Sequence, residues 1–173
     1  MKNAKPRKTS KPLSQAVVER PRDRMKHYQH PDVFGEWVGY ELTRVDWKKF
    51  EVETRLEIRR DHLSAAARVH GGVIAAFFDA SLGAAVFTTM EPTDLTSTVE
   101  LKVNYLQPLE LGDVLKIRAK VVFRGKRLAV TQADLYRNSE KKPVAIATAT
   151  FYVVAADGKK REKGEAKGRR RTV

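Results

Sequence analysis

The stretch from Gly72 to about Thr89 constrains the fold most. It holds Val73, Ile74, Ala75, Ala76, Phe77, Phe78, Ala80, Leu82, Ala84, Ala85, Val86 and Phe87. On a helix these residues fall nearly all the way round, and a helix of that kind must be covered on most sides rather than lie on a surface. Its alanines and Gly83 allow a neighbouring backbone to come close. Pro92 and Asp94 stop it beyond Met90. The rest of the chain must therefore supply a cover for one apolar helix.

The flanking segments read as strands. From Phe50 to Ile58 the pattern alternates strictly, with Phe50, Val52, Thr54, Leu56 and Ile58 on one face and Glu51, Glu53, Arg55 and Glu57 on the other. An earlier strand is expected over Trp37 to Asp46, turning near Trp47 and Lys48. After the helix, Val99, Leu101, Val103 and Tyr105 alternate with Glu100, Lys102 and Asn104, a strand over Thr98 to Tyr105. Gln107 to Asp113 contains Pro108 and the Gly112–Asp113 turn signal. Val114–Arg124 and Arg127–Tyr136 read as strands joined by a tight turn at Gly125–Lys126. After a polar turn at Asn138 to Lys142, Val144–Val154 is the last strand. Short turns favour antiparallel pairing. The expected class is α+β, a curved antiparallel sheet wrapped around a central, largely buried helix. A flatter sheet with the helix on one face is the less specific alternative.

The formal charge of +13 belongs to the ends. Residues 1–27 carry nine Lys or Arg against Glu19 and Asp23; residues 158–173 carry eight against Glu162 and Glu165. These account for the whole excess, so the middle is neutral. The expected organisation is a basic arm at 1–28, a folded domain at 29–156 and a basic tail at 157–173. Both ends lack apolar periodicity and read as solvated, disordered segments. The competing reading is loose contact with nucleic acid or anionic membrane, although no aromatics interleave with the charges. The chain has no cysteine, which excludes disulfides and thiolate chemistry. No apolar run approaches the roughly 20 residues of a membrane span, and no secretory h-region follows the basic start. A cytoplasmic protein is expected.

Asp79 is the one ionisable residue between Gly71 and Met90. A buried carboxylate must be hydrogen-bonded, open to a cleft, or shifted in pKa. It is either a candidate catalytic group or a satisfied member of a small polar stripe with Ser81 or Thr88. Just before the helix stand His70, Gly71 and Gly72. Free N–H groups at a helix start can polarise a carbonyl oxygen, and glycines let a ligand approach. The plainer reading is a loop–helix junction capped by His70.

Taken in order, Val69-His70-Gly71-Gly72-Val73-Ile74-Ala75-Ala76-Phe77-Phe78-Asp79, then Thr98 to Pro108, Gly112–Asp113 and Arg124 to Val130 resemble the PaaI-like hotdog-fold acyl-CoA thioesterases. The resemblance implies hydrolysis of an acyl- or aryl-CoA thioester to free acid and CoA. It implies dimers, often paired into tetramers, with sites shared between subunits. Asp79 would be general base or nucleophile. Gly71 would give its N–H to the thioester carbonyl, with Gly72 and His70 holding the loop, and Thr98 would orient water or the carboxylate. No cofactor is implied beyond coenzyme A as part of the substrate. Arg124, Gly125, Lys126 and Arg127 would meet the phosphates of CoA. The family's Asn or Gln six residues before the histidine is Ser64 here, and its Arg before the strand-end proline is Gln107. Phe77, Phe78, Phe87 and Tyr105 are candidates to shape a pocket. Alternatives are a non-catalytic acyl-CoA-binding hotdog protein and a hotdog hydratase or dehydratase. The latter needs a His–acid pair, for which His70 is the histidine best placed.

Overall fold

The computed structural model describes residues 32–91 and 94–154. The basic arm at 1–28 and the tail at 157–173 lie outside the described residues. The first element is a short helix, α1 (Val33–Val38). The Asp32 side chain caps it by accepting the Gly35 N–H at 2.9 Å. Gly39 ends it at φ 76°, in the left-handed region that glycine enters freely. The strand expected from Trp37 is therefore shorter: Trp37 is helical, and β1 covers Glu41–Asp46.

The other elements follow the expected order. They are β2 (Glu51–Glu57), a 3₁₀ turn at Arg60–His62, α2 (Gly71–Phe87), β3 (Leu95–Tyr105), β4 (Val114–Arg124), β5 (Leu128–Arg137) and β6 (Ala145–Val154). The strands form one antiparallel sheet in the order β1-β2-β4-β5-β6-β3. It curves around α2, which packs against β2, β4, β5, β6 and β3. The inward faces carry Val52, Leu56, Leu115, Ile117, Ala133, Leu135, Ala147, Ala149 and Phe151, all buried. Small residues on β5 and β6 leave room for the helix, whose Ile74, Phe77, Phe78, Leu82 and Val86 are also buried. Each large apolar side chain removed from water contributes about 1.5–3 kcal/mol. Phe77 and Phe78 are thus core residues and line no open pocket.

One stripe of α2 is only half covered: Ala75, Ala76, Asp79, Ala80, Ala84 and Phe87. β1 and β3 are the sheet's edges. Among the described residues, no helix is long and apolar enough to cross a membrane.

A hydroxyl pair crosses the core. Ser81 donates to the Phe77 carbonyl at 2.7 Å, so its oxygen accepts the Thr54 hydroxyl at 2.6 Å. Both residues are fully buried. Ser81→Ala leaves the Thr54 hydroxyl unpaired and is expected to lower stability by about 1–3 kcal/mol. Adding Thr54→Val should recover most of it. Urea unfolding of the two variants checks both.

Candidate active site

Asp79 sits halfway along α2, half-buried. Its Oδ1 accepts the hydroxyl of Thr98 at 2.8 Å. The alternative polar stripe does not form: Ser81 is engaged with Thr54 and Phe77, and Thr88 donates to the Ala85 carbonyl. Around Asp79 the half-covered stripe is alanine, so no long side chain of α2 flanks the carboxylate on that stripe.

Thr98 reaches Asp79 because β3 carries a bulge. Pairing with β6 shifts between Thr98 and Glu100, leaving Val99 unmatched. Leu101 lies opposite Ala149 and Val103 opposite Ala147, both inward positions. Were Val99 paired in a regular ladder, it would continue that face and Thr98 would point outward. Instead, Thr98 lies opposite the buried Phe151, and Val99 is 62% exposed. A bulge re-aims a side chain in this way.

At the start of α2, His70 is the N-cap. Its Nδ1 accepts the Gly72 N–H at 2.9 Å, and its carbonyl accepts the Val73 N–H at 3.0 Å. Among the described residues, this leaves the N–H of Gly71 as the unengaged donor at the positive end of the helix dipole. Tyr105, at the far end of β3, donates its hydroxyl to the Gly71 carbonyl at 2.9 Å. Capping by His70 and donation by Gly71 are therefore compatible. A helix rises about 1.5 Å per residue, so Gly71 and Asp79 are about 12 Å apart along the axis. Within one chain they cannot act on the same carbonyl.

Ser64 lies in the hairpin between residues 62 and 70. Its N–H donates to Arg68 at 2.7 Å and its carbonyl accepts from Ala67 at 2.9 Å. Among the described residues, no side-chain hydrogen bond joins it to Asp79, Gly71 or Thr98. Gln107 accepts from Arg137 at 3.4 Å on the surface.

The cations at the β4–β5 turn separate into two kinds. A second bulge, between Val121 and Phe123, places Arg124 opposite the buried Ala129. Arg124 thus turns inward, donating to Thr89 beyond the end of α2 at 3.2 Å and to the Gly125 carbonyl. Lys126 and Arg127 are exposed; Arg127 donates to the Tyr152 hydroxyl at 3.3 Å. The Gly125 N–H closes the turn on Leu128 at 2.8 Å. A groove on the opposite face of the sheet, lined by Glu53, Arg118, Asp134 and Tyr136, touches none of the candidate residues.

The sequence reading missed two groups. Tyr40 donates to Asp32 at 3.2 Å. Burial first, then the Asp32 carboxylate and the charge of Asp79, push its pKa up to about 12, which keeps it a donor. His62 is fully buried. Neither sits on a periodic face, and no spacing rule marks them.

Comparisons with known proteins agree with this geometry. A family model described as the thioesterase superfamily matches residues 67–144. A Pseudomonas aeruginosa protein described as a "putative esterase" is 30% identical over 98 residues, 57% of this chain and 72% of that one. The chain belongs to the thioesterase superfamily. Another relative in sequence, a Caenorhabditis elegans protein of the same description, is 32% identical over 105 residues, 61% of this chain and 62% of that protein. Human acyl-coenzyme A thioesterase 13 is 29% identical over 104 residues, 60% of this chain and 74% of its own. Among solved structures, a mutant of the phenylacetic acid degradation protein PaaI from Thermus thermophilus is similar with a TM-score of 0.62 and 26% identity, covering 70% of this chain and 98% of that one. The hotdog expectation is met by the sheet and helix of this superfamily.

Thr98→Val keeps a good strand former on the bulge and removes the hydroxyl. A hydrogen bond to a charged group contributes about 1.5–3 kcal/mol, so a fall in kcat of about 10-fold or more is expected. Steady-state kinetics with an acyl-CoA, alongside circular dichroism, checks it.

Proposed function

We propose that this member of the thioesterase superfamily hydrolyses the thioester of an acyl- or aryl-CoA to free acid and CoA. The observation that carries the reading is Asp79, held by Thr98 on a half-open stripe of α2. The name of the human relative supports coenzyme A as the carrier. In this mechanism the Gly71 N–H draws charge onto the carbonyl oxygen. Asp79 takes a proton from water as its oxygen attacks the carbonyl carbon, or attacks that carbon itself and is released by water. The carbon–sulfur bond breaks and CoA leaves as the thiol. The hydratase alternative loses support, because the His70 ring is committed to its cap and His62 is buried.

The site is completed by a second copy. The separation of about 12 Å between Gly71 and Asp79 supports it. The outer edge of β3, with Leu95 and Val99 exposed, offers unpaired backbone for a partner strand. Gly71 of one subunit then serves Asp79 and Thr98 of the other. The catalytic part is residues 29–156, and a cytoplasmic location goes with the reading.

Complementation tests it. Asp79→Asn is expected to lower kcat by about 10²–10⁴-fold. Gly71→Pro removes the donor N–H and sets a Cβ in van der Waals contact with Tyr105, a change the site accommodates since proline suits the first helical position and His70 is already extended; a loss of about 10²–10³-fold is expected. Mixed subunits of the two inactive variants should regain activity, because one of the two shared sites is then wild type. Verified hybrids that stay inactive would sink the shared site. An Asp79→Asn enzyme within about three-fold of wild type would sink the catalytic assignment.

The exposed cations of the β4–β5 turn fit the nucleotide end of CoA. Asp79 lies about 12 Å along the axis from the end of α2 at Phe87, with Thr89 and the β4–β5 turn beyond it, a span of the order of an extended pantetheine arm. Lys126→Ala/Arg127→Ala should raise KM for an acyl-CoA with little change in kcat, and should not affect the matching pantetheine thioester. Added salt should shrink the difference. An unchanged KM returns these residues to a solvated turn.

A further inference from the structure

The donor N–H of Gly71 is useful only if the residues before α2 hold it still. Tyr105 holds the Gly71 carbonyl, Leu63 and Val69 pack against the core, and the hairpin that delivers the donor has one fully buried side chain. Its rungs are the His62 carbonyl with the His70 N–H at 2.9 Å, the antiparallel pair Leu63–Val69, and the Ser64 N–H with the Arg68 carbonyl at 2.7 Å. Ser64 to Arg68 are exposed or half-buried. His62, at the base, is the exception: its side chain is fully buried.

The ring is held from two sides. Its Nδ1 accepts the Arg59 N–H at 3.1 Å, and the indole of Trp37 on α1 meets it edge-on at 6.1 Å. A neutral ring that accepts at Nδ1 carries its proton on Nε2. That buried Nε2 has no hydrogen-bond partner among the described residues; Asp61 stands 3.9 Å away. The charged groups facing the ring are Arg59 and Asp61, which also pair with each other at 3.3 Å. From α1 the Trp37 and Val38 carbonyls face it as well.

We propose that His62 is a positioning residue for the Gly71 donor, its buried neutral ring fastening the base of the hairpin to the core. A second proton would occupy Nδ1, set donor against donor at Arg59, and bury a cation. Burial first, then Arg59, hold the His62 pKa below 6.5, with Asp61 partly opposing. The native state therefore binds this proton less readily than the unfolded chain. The contribution to stability is present above pH 6.5 and is lost as pH falls below it towards the folded value. The proposal takes its catalytic meaning from the thioesterase reading, but not its geometry.

The test uses the full chain, with hexanoyl-CoA and phenylacetyl-CoA as probes. His62→Leu should lower kcat at pH 8 by about 10-fold or more, with KM within about three-fold, since the donor acts on the transition state. His62→Asn places an acceptor near Nδ1 and should keep kcat within about three-fold. The chain has two tryptophans, so Trp47→Phe isolates Trp37. Its fluorescence should change in one step below pH 6.5, together with kcat, and the step should vanish when His62→Asn is added. A folded His62→Leu enzyme with wild-type kcat, or a step that survives His62→Asn, overturns the proposal. Should His62→Leu not fold, the asparagine and fluorescence arms decide. Should the wild type cleave neither probe, the functional reading fails, and the substrate-free fluorescence arm still judges the anchor.

Discussion

A helix apolar on nearly every side has to be surrounded, and one sheet cannot surround it completely. That mismatch governs the molecule. The sheet covers α2 with alanine-rich strands on β5 and β6 and larger residues on β2 and β4. The part it leaves is a narrow stripe, and the single carboxylate of the helix lies on that stripe. The candidate site and the incomplete cover occupy the same place. A carboxylate on the covered side would have to give up its charge or find a buried partner; on the open side a threonine suffices.

The same helix sets the scale of the site. A helix is a ruler, and the donor at its start and the carboxylate at its middle are separated by a fixed length. In the proposed shared site, two copies do what two halves of one chain cannot. The open edge of β3 and the incomplete site are then one feature seen twice: the strand that orients Asp79 through Thr98 and steadies Gly71 through Tyr105 is the strand left unpaired.

Much of this was legible in the sequence, for a definable reason. The alternation of β2 follows from one wet and one dry face, and its inward Val52, Thr54 and Leu56 are those the pattern picks out. The helix was legible from its lack of a polar face. The family was legible from the order of its motifs, not from any physical property of His-Gly-Gly. The failures are physical too. Trp37 reads as strand by composition, but Asp32 and Gly39 bracket a helix around it. Arg124 reads as an exposed turn residue, yet packs against the end of α2. His62 gives no local signal, because only packing from α1 and the hairpin buries it.

The bulge at Val99 is the instructive case, since it hides inside a pattern that looks regular. Val99, Leu101, Val103 and Tyr105 alternate as if they shared a face, and the extra residue breaks that phase. A strand is a two-letter frame, inward and outward, and the bulge is a frameshift within it. Everything from Leu95 to Thr98 is read in the second frame. The hydroxyl partner of Asp79 is therefore specified by pairing as well as by chemistry: the hydroxyl at 98 meets the carboxylate while Val99 stays out of the ladder. Drawing Val99 into a regular ladder would leave every side chain of the site intact in the sequence and turn Thr98 away from the helix. Deleting residue 99 would instead close the ladder with Thr98 still inward. In this fold, the pairing of β3 is as much a part of the candidate site as the residues that line it.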